Sequence, residues 1–397
     1  MKYLVTGATG FLGRHLTRHL RGAGHEVVAL ARNAPADFAS KFDVQIVRGD
    51  VLDRPSLDGA MTGCDGVFHC AGKVSRDPAD AESLRRVHVL GTRHVLEAAH
   101  AAKVRRVVVA STSGVVAISE DADYIAREDS PTPTSLIQRF PYYRSKLYAE
   151  QEAFAHSRDD LEVVCVNPSL LLGPGDVYGS STQDVRLFLD RALPAVPTGG
   201  MSYVDARDVA DAMDRAMTRG TPGRRYLLGA SNCTVREFFA RLERISGVPA
   251  PRLPMPRSAS FARAATEILA RAVKKIGGEL PVDPVSVEMA QLFWYLDSSR
   301  AEAELGWSAR DPMDTLLDTV RDLRRLDVAV RGRRLRITAE SAGFLYKMMR
   351  SLAGVLVAVG EGRLSVEDVK GMLRSGTRTP AVRTAPAQGL FLVKVFY

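Results

Sequence analysis

Residues Lys2 to Gly13 read KYLVTGATGFLG, and this stretch decides the fold. Its apolar beginning predicts a strand, and the amphipathic pattern after Gly10 predicts a helix over Phe11–Arg21. The first glycine permits a tight turn, the second lets the backbone approach a pyrophosphate, and the third lets the helix pack on the strand. The stretch therefore predicts a turn that binds the phosphates of a dinucleotide, against the alternative of a glycine-rich turn without a ligand. The candidate contacts on this turn are Gly7, Thr9, Gly10, Phe11, Leu12 and Gly13.

Short apolar segments alternate with helical patterns through the first half of the chain. Strands separated by helices indicate an α/β fold, in which a parallel sheet is doubly wound by helices on both faces. The predicted strands are Tyr3–Thr6, Glu26–Ala31, Val44–Val47, Gly66–Cys70, Arg106–Ala110 and Glu162–Val166. The predicted helices are Phe11–Arg21, Pro55–Met61, Ala81–Ala102 and Tyr142–His156.

The pattern changes after Pro168, where irregular segments with Gly and Pro precede further helices. We predict a small, mostly helical substrate-binding region there, mainly over residues 169–200 and 230–312, and an NAD(P)-binding unit over residues 1–327 as a whole. A linker over 328–333 then leads to a short α+β segment over 334–397. The helices predicted after Pro168 are Ala206–Thr218, Val235–Ile245, Phe261–Ile276 and Asp314–Arg325. The last segment is predicted as strand Leu335–Ala339, helices Phe344–Gly360 and Val366–Leu373, and strand Gly389–Phe396.

The end of the second strand bears on the choice of nicotinamide cofactor. NAD sites usually place an acidic residue there to hold the ribose 2′-hydroxyl. Here the strand ends Leu30-Ala31-Arg32-Asn33, without a carboxylate. An arginine can grip a 2′-phosphate with two hydrogen bonds, so Arg32 predicts NADP, with NAD as the alternative. Asp50, which follows the third strand, can accept a hydrogen bond from adenine or can simply end a turn.

Tyr142 and Lys146 form the single Tyr-x-x-x-Lys of the chain. On a helix these positions share one face, and a nearby ammonium is expected to lower the pKa of the phenol. Such a tyrosine can exchange a proton with a substrate oxygen while a hydride moves at the nicotinamide. Ser113, with Thr112 as the alternative, is predicted to hold the substrate oxygen, because it follows a strand at the carboxyl end of the sheet. The predicted catalytic residues are thus Ser113, Tyr142 and Lys146.

These motifs together resemble the extended short-chain dehydrogenase/reductase family, over about Met1 to Arg325. The resemblance also uses Val67–Gly72, Asn167-Pro168-Ser169 and Gly173-Pro174-Gly175, and later stretches are similar to its dihydroflavonol-reductase-like and hopanoid-associated sugar epimerase branches. It implies a Rossmann-type domain and cofactor contacts at Val51, Ala71, Gly72, Pro168 and Ser169. One position departs from the family pattern, because His88 stands where the family usually has Asn. This puts a proton relay through that position in doubt. The favoured interpretation of His88 is a buried, hydrogen-bonded histidine.

The tail, from about Arg334 to Tyr397, resembles the C-terminal end of the tRNA pseudouridine synthase that modifies the anticodon arm. The resemblance rests on Phe344–Arg350, Leu364–Asp368, Thr384-Ala385-Pro386 and Gly389–Val393. It implies that Arg350 matches an active-site arginine of that family. The family's catalytic aspartate belongs to an Arg-Thr-Asp segment, which occurs nowhere in this chain. We therefore interpret the tail as a fused fragment without pseudouridine synthase activity.

Charge and cysteine usage limit the partners and the compartment. From Val328 onward the chain has 12 Lys and Arg against 4 Asp and Glu, which accounts for the entire net charge of +8. A basic tail can contact RNA, but a fused remnant that packs on the enzyme or on itself is the favoured interpretation. Its apolar helix needs a second surface, which the enzyme, another copy of the chain or an outside protein can supply. The four separated cysteines predict neither disulfides nor a metal site, and with no signal segment or membrane span they predict a cytoplasmic protein.

The sequence is consistent with three functions. The first is an NADP-dependent oxidoreductase that acts on a small-molecule ketone or secondary alcohol. The second is a nucleotide-sugar epimerase or dehydratase with bound NAD, which Arg32 argues against. The third is an RNA-associated protein that acts through its tail. Their tests are the cofactor that the purified protein carries and the salt dependence of RNA affinity.

Overall fold

Seven parallel strands form the sheet that carries the candidate site. The computed structural model describes residues 1–256, 258, 261–268, 282–324, 327–331, 334–338 and 348–375. The sheet order is β3-β2-β1-β4-β5-β6-β9, so the chain crosses over after β3 and extends the sheet in the opposite direction. The strands are β1 (Lys2–Thr6), β2 (Glu26–Ala31), β3 (Gln45–Arg48), β4 (Gly66–His69), β5 (Arg106–Ala110), β6 (Glu162–Pro168) and β9 (Arg225–Leu228).

Helices cover both faces of this sheet and bury its apolar strands. On one face, α1 and α9 pack through side chains such as Leu16 and Met213. On the other face, α3, α5 and α7 supply Leu57, Leu96 and Ala153 to a second core. The helices up to this point are α1 (Phe11–Gly22), α2 (Phe38–Phe42), α3 (Arg54–Ala60), α4 (Ala81–Arg85), α5 (Gly91–Ala101), α6 (Thr134–Ile137), α7 (Pro141–Ala155), α8 (Gln183–Leu189) and α9 (Ala206–Arg219).

A second, smaller sheet lies in the predicted substrate-binding region. Its order is β10-β8-β7, with β7 at Leu170–Leu172, β8 at Gly200–Asp205 and β10 at Ser231–Thr234. A third core there includes Phe188, Phe238 and Leu316. The helices of this half are α10 (Val235–Ser246), α11 (described over 261–268), α12 (Pro284–Met289) and α13 (Pro312–Leu323).

The predicted Rossmann-type, doubly wound fold is confirmed, and the differences lie in the short elements. Strands β7 to β10 were not predicted, because three- to six-residue strands carry too little alternation to stand out in irregular sequence. The predicted helix Ala81–Ala102 is divided by a π-helical turn at Arg86–Leu90. Of the predicted helix Phe261–Ile276, the part beyond residue 268 lies outside the described residues.

The tail contains a hairpin and two helices. Strand β11 (Asp327–Arg331) pairs antiparallel with β12 (Arg334–Thr338), so a strand occupies most of the 328–333 segment that was predicted as a linker. The alternating valines of β11 suit a strand, which the basic composition of the segment obscured. Helices α14 (Met348–Gly360) and α15 (Val366–Ser375) follow, and Ala358 and Leu364 form a small core with Met372. The strand predicted at Gly389–Phe396 lies outside the described residues.

Candidate active site

The glycine turn between β1 and α1 has the close backbone packing that its sequence predicts. Gly7 has a φ of 68°, and a Cβ there would lie 2.7 Å from the backbone of Cys70 and Ala71. A Cβ on Gly13 would lie 2.1 Å from the Gly7 carbonyl oxygen, so larger residues cannot occupy either position without moving the backbone. Helix α1 begins after Gly10 without a side-chain cap, which leaves its first N–H groups available to an anion.

A cavity of about 940 Å³ opens at the carboxyl ends of β1, β4, β5 and β6. This is where open α/β sheets bind ligands, beside the point at which the strand order reverses. Eight predicted cofactor residues line it: Gly7, Gly10, Phe11, Leu12, Gly13, Gly72, Lys146 and Pro168. The remaining predicted cofactor contacts, Thr9, Arg32, Asp50, Val51, Ala71 and Ser169, are not among its lining residues, and Ser169 lines a neighbouring cavity instead.

Arg32 lies directly after β2, beside the glycine turn. Its side chain is 75 % exposed, and its Nη1 atom is 3.9 Å from the carboxylate of Asp50. At this distance and exposure the ion pair is weak, so the guanidinium can turn towards a ligand at little cost. Asp50 Oδ1 accepts a hydrogen bond from the Leu52 backbone N–H at 3.0 Å, which fixes that carboxylate at a turn.

Helix α7 places Tyr142 and Lys146 one turn apart on the face towards the cavity. Lys146 Nζ donates a 2.8 Å hydrogen bond to the carbonyl oxygen of Ala110, at the end of β5. Burial lowers the pKa of Lys146 to about 8, although nearby Cys70, Cys165 and Glu150 act in the opposite direction. The helix begins at Pro141, a position where the missing N–H of proline costs no helical hydrogen bond.

The expected effect of Lys146 on Tyr142 is wrong for this structure. Burial, with a smaller contribution from Tyr143, raises the pKa of Tyr142 above its ordinary value. The ammonium is held by Ala110, and removal from water disfavours the phenolate. The phenol is therefore protonated at neutral pH, which suits a proton donor to a carbonyl oxygen.

The Ser111-Thr112-Ser113 segment follows β5 and faces a second cavity, of about 310 Å³. Ser113 is buried and lines this cavity, while Thr112 Oγ1 accepts a hydrogen bond from the Gly114 N–H at 3.3 Å and begins a 3₁₀ turn. Ser111 and Tyr142 each line both cavities. The Ser111 hydroxyl is buried and has no hydrogen-bond partner among the described residues. Sequence reasoning missed this group because Ser113 in the same tripeptide matched the expected position.

His88 is a buried histidine with both ring nitrogens engaged. Its Nε2 accepts a 3.0 Å hydrogen bond from the Lys73 backbone N–H, so Nδ1 carries the proton and lies 2.8 Å from Ser145 Oγ. Burial, then Lys146, lower its pKa to about 2, which keeps the ring neutral. His88 therefore connects the loop after β4 with the catalytic helix, and it lies edge-on to Tyr142 with ring centroids 5.7 Å apart.

A buried carboxylate anchors helix α7 to the sheet. Glu150, two turns after Tyr142, lies 2.7 Å from Arg225 and accepts a 2.6 Å hydrogen bond from Asn167 Nδ2. Asn167 Nδ2 is also 3.1 Å from the carbonyl oxygen of Thr112. Helix α7, strand β6 and the serine segment are thus fixed to one another by one polar network.

Comparison with known proteins agrees with this geometry. Residues 3–229, more than half of the chain, match the NAD dependent epimerase/dehydratase family. The chain belongs to this family. Members of the epimerase/dehydratase family bind NAD or NADP, and the relatives of this chain include reductases.

Three similar proteins illustrate the range of this family. A putative dihydroflavonol 4-reductase from Synechocystis is 35 % identical over 326 residues, 80 % of this chain and 93 % of the relative. A 4-hydroxy-2-methyl-3-oxo-4-farnesyl-3,4-dihydroquinoline-1-oxide ketoreductase from Stigmatella aurantiaca is 29 % identical, over 81 % of this chain and 96 % of its own. The crystal structure of a nucleoside-diphosphate-sugar epimerase from Pseudomonas aeruginosa superposes with a TM-score of 0.65 at 26 % identity, covering 82 % of this chain and 97 % of that one.

The tail matches a second family. Residues 306–397 match tRNA pseudouridine synthase, so the chain joins two family signatures. The match includes α13, whose Leu316 and Val320 lie in the third core of the epimerase/dehydratase-like part. Among the described residues there is no cluster of side chains suited to a metal ion, and no helix long and apolar enough to cross a membrane.

Proposed function

We propose that this protein is an NADP-dependent oxidoreductase that interconverts a ketone and a secondary alcohol. The observation that carries the proposal is the position of Tyr142, whose side chain lines both the cavity at the glycine turn and the smaller cavity beside it. A phenol in that place can reach a substrate oxygen while the substrate carbon faces the cofactor. The ketoreductase from Stigmatella aurantiaca, by its name, has the same type of reaction.

The residues present fit a nicotinamide dinucleotide. Gly7 and Gly13 allow the tight turn, because a Cβ at either position would collide with the protein's own backbone, and Gly10 lines the cavity without a side chain. The uncapped N–H groups at the start of α1 are available to a pyrophosphate at this turn. Lys146, with a proton to donate, is placed to bind ribose hydroxyls from the cavity wall. When bound, a reduced nicotinamide supplies a hydride to the carbonyl carbon.

The chain's own residues supply the other half of the reduction. Tyr142 donates its phenolic proton to the carbonyl oxygen, so that hydride and proton together convert the ketone to an alcohol. Ser113, and with it Ser111, donates a hydrogen bond to the same oxygen and orients the carbonyl before transfer.

Arg32 supports NADP over NAD in this proposal. It takes the position of the usual ribose-binding acid, and its exposed guanidinium is free to form a bidentate contact with a 2′-phosphate. The competing candidate is an epimerase that retains NAD and returns the hydride to its substrate, as the name of the family and the Pseudomonas aeruginosa relative suggest.

Native mass spectrometry of the purified full chain separates the two candidates. We expect an apoprotein that takes up added NADPH and releases it, or a protein that carries NADP. Stoichiometric NAD that survives purification would favour the epimerase. Ser113→Ala and Ser111→Ala then assign the hydroxyl: the variant that loses turnover with cofactor affinity intact identifies the group that orients the carbonyl.

We propose no uridine chemistry for the tail. The pseudouridine synthase match lacks an Arg-Thr-Asp segment anywhere in the 397 residues, and that segment holds the nucleophile in the family it resembles. An RNA-binding role for the basic tail is tested by the salt dependence of RNA affinity, and a role in joining two copies of the chain is tested by the oligomeric state of a chain truncated before the tail.

A further inference from the structure

We propose that the second cavity binds an uncharged, largely apolar ketone that contains a ring system, and that it excludes nucleoside diphosphate sugars. This inference rests on the proposed function of the same site and names its substrate class. Three observations support it: the apolar wall of the cavity, an aromatic surface beside Tyr142, and the ion pair that neutralises Arg76. Arg76 is the single cationic side chain on the described lining of the cavity.

Aliphatic and aromatic side chains from several elements form most of the cavity wall. They include Leu170 from β7, Met201 from β8, and Phe238 and Phe239 from α10, with Leu193 and Met289 from neighbouring segments. A cavity of about 310 Å³ is within the size range of small-molecule sites, and such a lining gains affinity by removing apolar ligand surface from water. It provides no gain for a pyrophosphate.

An aromatic surface lies next to the proposed proton donor. The rings of Tyr143 and Trp294 are 4.8 Å apart at an angle of 35°, and Phe140 lies 6.3 Å from Tyr143. Tyr143 is itself 5.1 Å from Tyr142, measured between ring centroids. A ring system in the substrate can pack against this surface while its carbonyl group reaches the Tyr142 phenol.

The charged groups of this cavity cancel each other. Arg76 Nη1 and Nη2 are 3.1 and 2.8 Å from the two carboxylate oxygens of Asp184, and Nη1 donates a 2.9 Å hydrogen bond to Ser286 Oγ. Arg76 and Asp184 are the single cationic and the single anionic side chain on the described lining of this cavity. Burial disfavours the charge on Arg76, but Asp184 more than compensates and raises its pKa above the ordinary value. Among the described lining residues, no cation is therefore left to hold a diphosphate, which needs paired positive charge when it leaves water.

Equilibrium dialysis of the full-length protein saturated with NADP⁺ tests the substrate class directly, because the oxidised cofactor occupies the cavity at the glycine turn and cannot reduce the probes. The three probes are 4-acetylbiphenyl, its 4′-carboxylate derivative and UDP-glucose. We expect 4-acetylbiphenyl to bind most tightly and the carboxylate to bind about tenfold more weakly or worse, because its charge has no partner. UDP-glucose binding equal to or tighter than 4-acetylbiphenyl overturns the inference, as does the absence of 4-acetylbiphenyl binding.

Two substitutions place the binding in this cavity. Leu193→Glu puts a charge on the wall, and we expect it to reduce 4-acetylbiphenyl affinity by about tenfold or more. Leu253→Glu is the matched control, since Leu253 is 68 % exposed and is not on the described lining, and it should leave affinity unchanged. Retained NADPH binding shows that Leu193→Glu is folded. Equal affinities in the two variants contradict the assignment of the cavity.

A third substitution tests the role of the ion pair. Asp184→Asn releases Arg76 from its partner, so affinity for the carboxylate probe should rise about tenfold while affinity for 4-acetylbiphenyl changes little. An unchanged preference for 4-acetylbiphenyl over the carboxylate probe in this variant argues against a neutralised Arg76.

Turnover separates this inference from the proposed function. If 4-acetylbiphenyl binds but is not reduced with NADPH, the assignment of the cavity stands and the proposed reductase activity is contradicted.

Discussion

At the scale of single residues, the buried side chains around Tyr142 explain how one phenol can be kept protonated yet accessible. Tyr142 is surrounded by Tyr143, His88 and the serine segment, and burial raises its pKa. His88 remains neutral because both of its nitrogens are engaged and burial lowers its pKa to about 2. In the proposed reaction, the proton for the substrate oxygen is therefore assigned to Tyr142 rather than to the histidine.

Replacing Tyr142 with Phe tests that assignment. The variant keeps the ring and removes the proton, so NADPH affinity should match wild type while turnover falls by about 100-fold or more, the usual scale for a lost general acid. Fluorescence titration of NADPH and steady-state rates with a working ketone give the two quantities. If the variant turns over at the wild-type rate, Tyr142 has no part in proton transfer.

Lys146 gives a dependence on pH with a definite sign. Its pKa is lowered from 10.5 to about 8, so the side chain is charged below that pH and neutral above it. NADPH affinity of the wild-type protein should therefore weaken as the pH rises from about 7 to about 9.5, because a charge that faces an anionic ligand is lost. Lys146→Met should bind more weakly and show a flat profile over this range. A flat wild-type profile would contradict the role of Lys146.

Arg32 decides between the two nicotinamides in the proposed function. Arg32→Asp should reverse the preference from NADPH to NADH, and the lost contact with the 2′-phosphate is worth about 1.5–3 kcal/mol. Arg105→Asp is a suitable control, since Arg105 is 83 % exposed and precedes β5, at the amino-terminal end of the strands and away from the cavity at their carboxyl ends. Equal wild-type affinities for the two cofactors would show that the end of β2 does not discriminate.

At the scale of elements, the catalytic helix depends on partners that lie far away in the sequence. Glu150 in α7 joins Arg225 at the start of β9 and Asn167 in β6, and Asn167 reaches the carbonyl of Thr112. Helix α7 and its Tyr-x-x-x-Lys were predictable from local pattern. The network that orients the helix was not, because none of its partners is close in sequence and each is an ordinary polar residue.

Glu150→Gln tests this network through stability. The substitution leaves the half-buried Arg225 without its counter-ion, and we expect unfolding free energy to fall by about 3 kcal/mol, the lower end of the cost of breaking a buried pair. Glu152→Gln on the same helix removes an ion pair with the 47 % exposed Arg93 and should cost about 1 kcal/mol or less. Urea unfolding of both variants provides the comparison. Similar losses in the two would mean that Glu150 has no special structural role.

At the scale of the whole molecule, helix α13 shows that the boundary between the two family signatures is not the boundary of the packed core. The pseudouridine synthase match begins at residue 306, yet Leu316 and Val320 are buried in the third core. Thr319 Oγ1 also accepts a 2.8 Å hydrogen bond from Gly173, and Asp322 accepts one of 2.8 Å from Gly175. Residues up to α13 therefore belong with the enzyme.

Two truncated chains test this division. A chain that ends after Arg324 keeps α13 and should bind NADPH as the full protein does. A chain that ends after Asp311 loses the buried face of α13 and should lose both NADPH binding and a cooperative unfolding transition. The first truncation also removes the apolar α14, so we expect its oligomeric state in sedimentation to differ from that of the full chain. Loss of NADPH binding in the longer chain would show that the tail completes the enzyme.

Local sequence alone predicts the glycine turn, the alternation of strands and helices that gives a doubly wound sheet, and the Tyr142–Lys146 pair. These features depend on local geometry: a tight turn needs Gly7, a helix places i and i+4 on one face, and buried parallel strands are continuously apolar. The folded structure is needed to see the raised pKa of Tyr142, the Ser111 hydroxyl without a hydrogen-bond partner among the described residues, and the pairing of Arg76 with Asp184. Each of these features depends on burial or on a contact between segments that are far apart in the chain. Neither burial nor such a contact can be predicted from a short stretch of sequence.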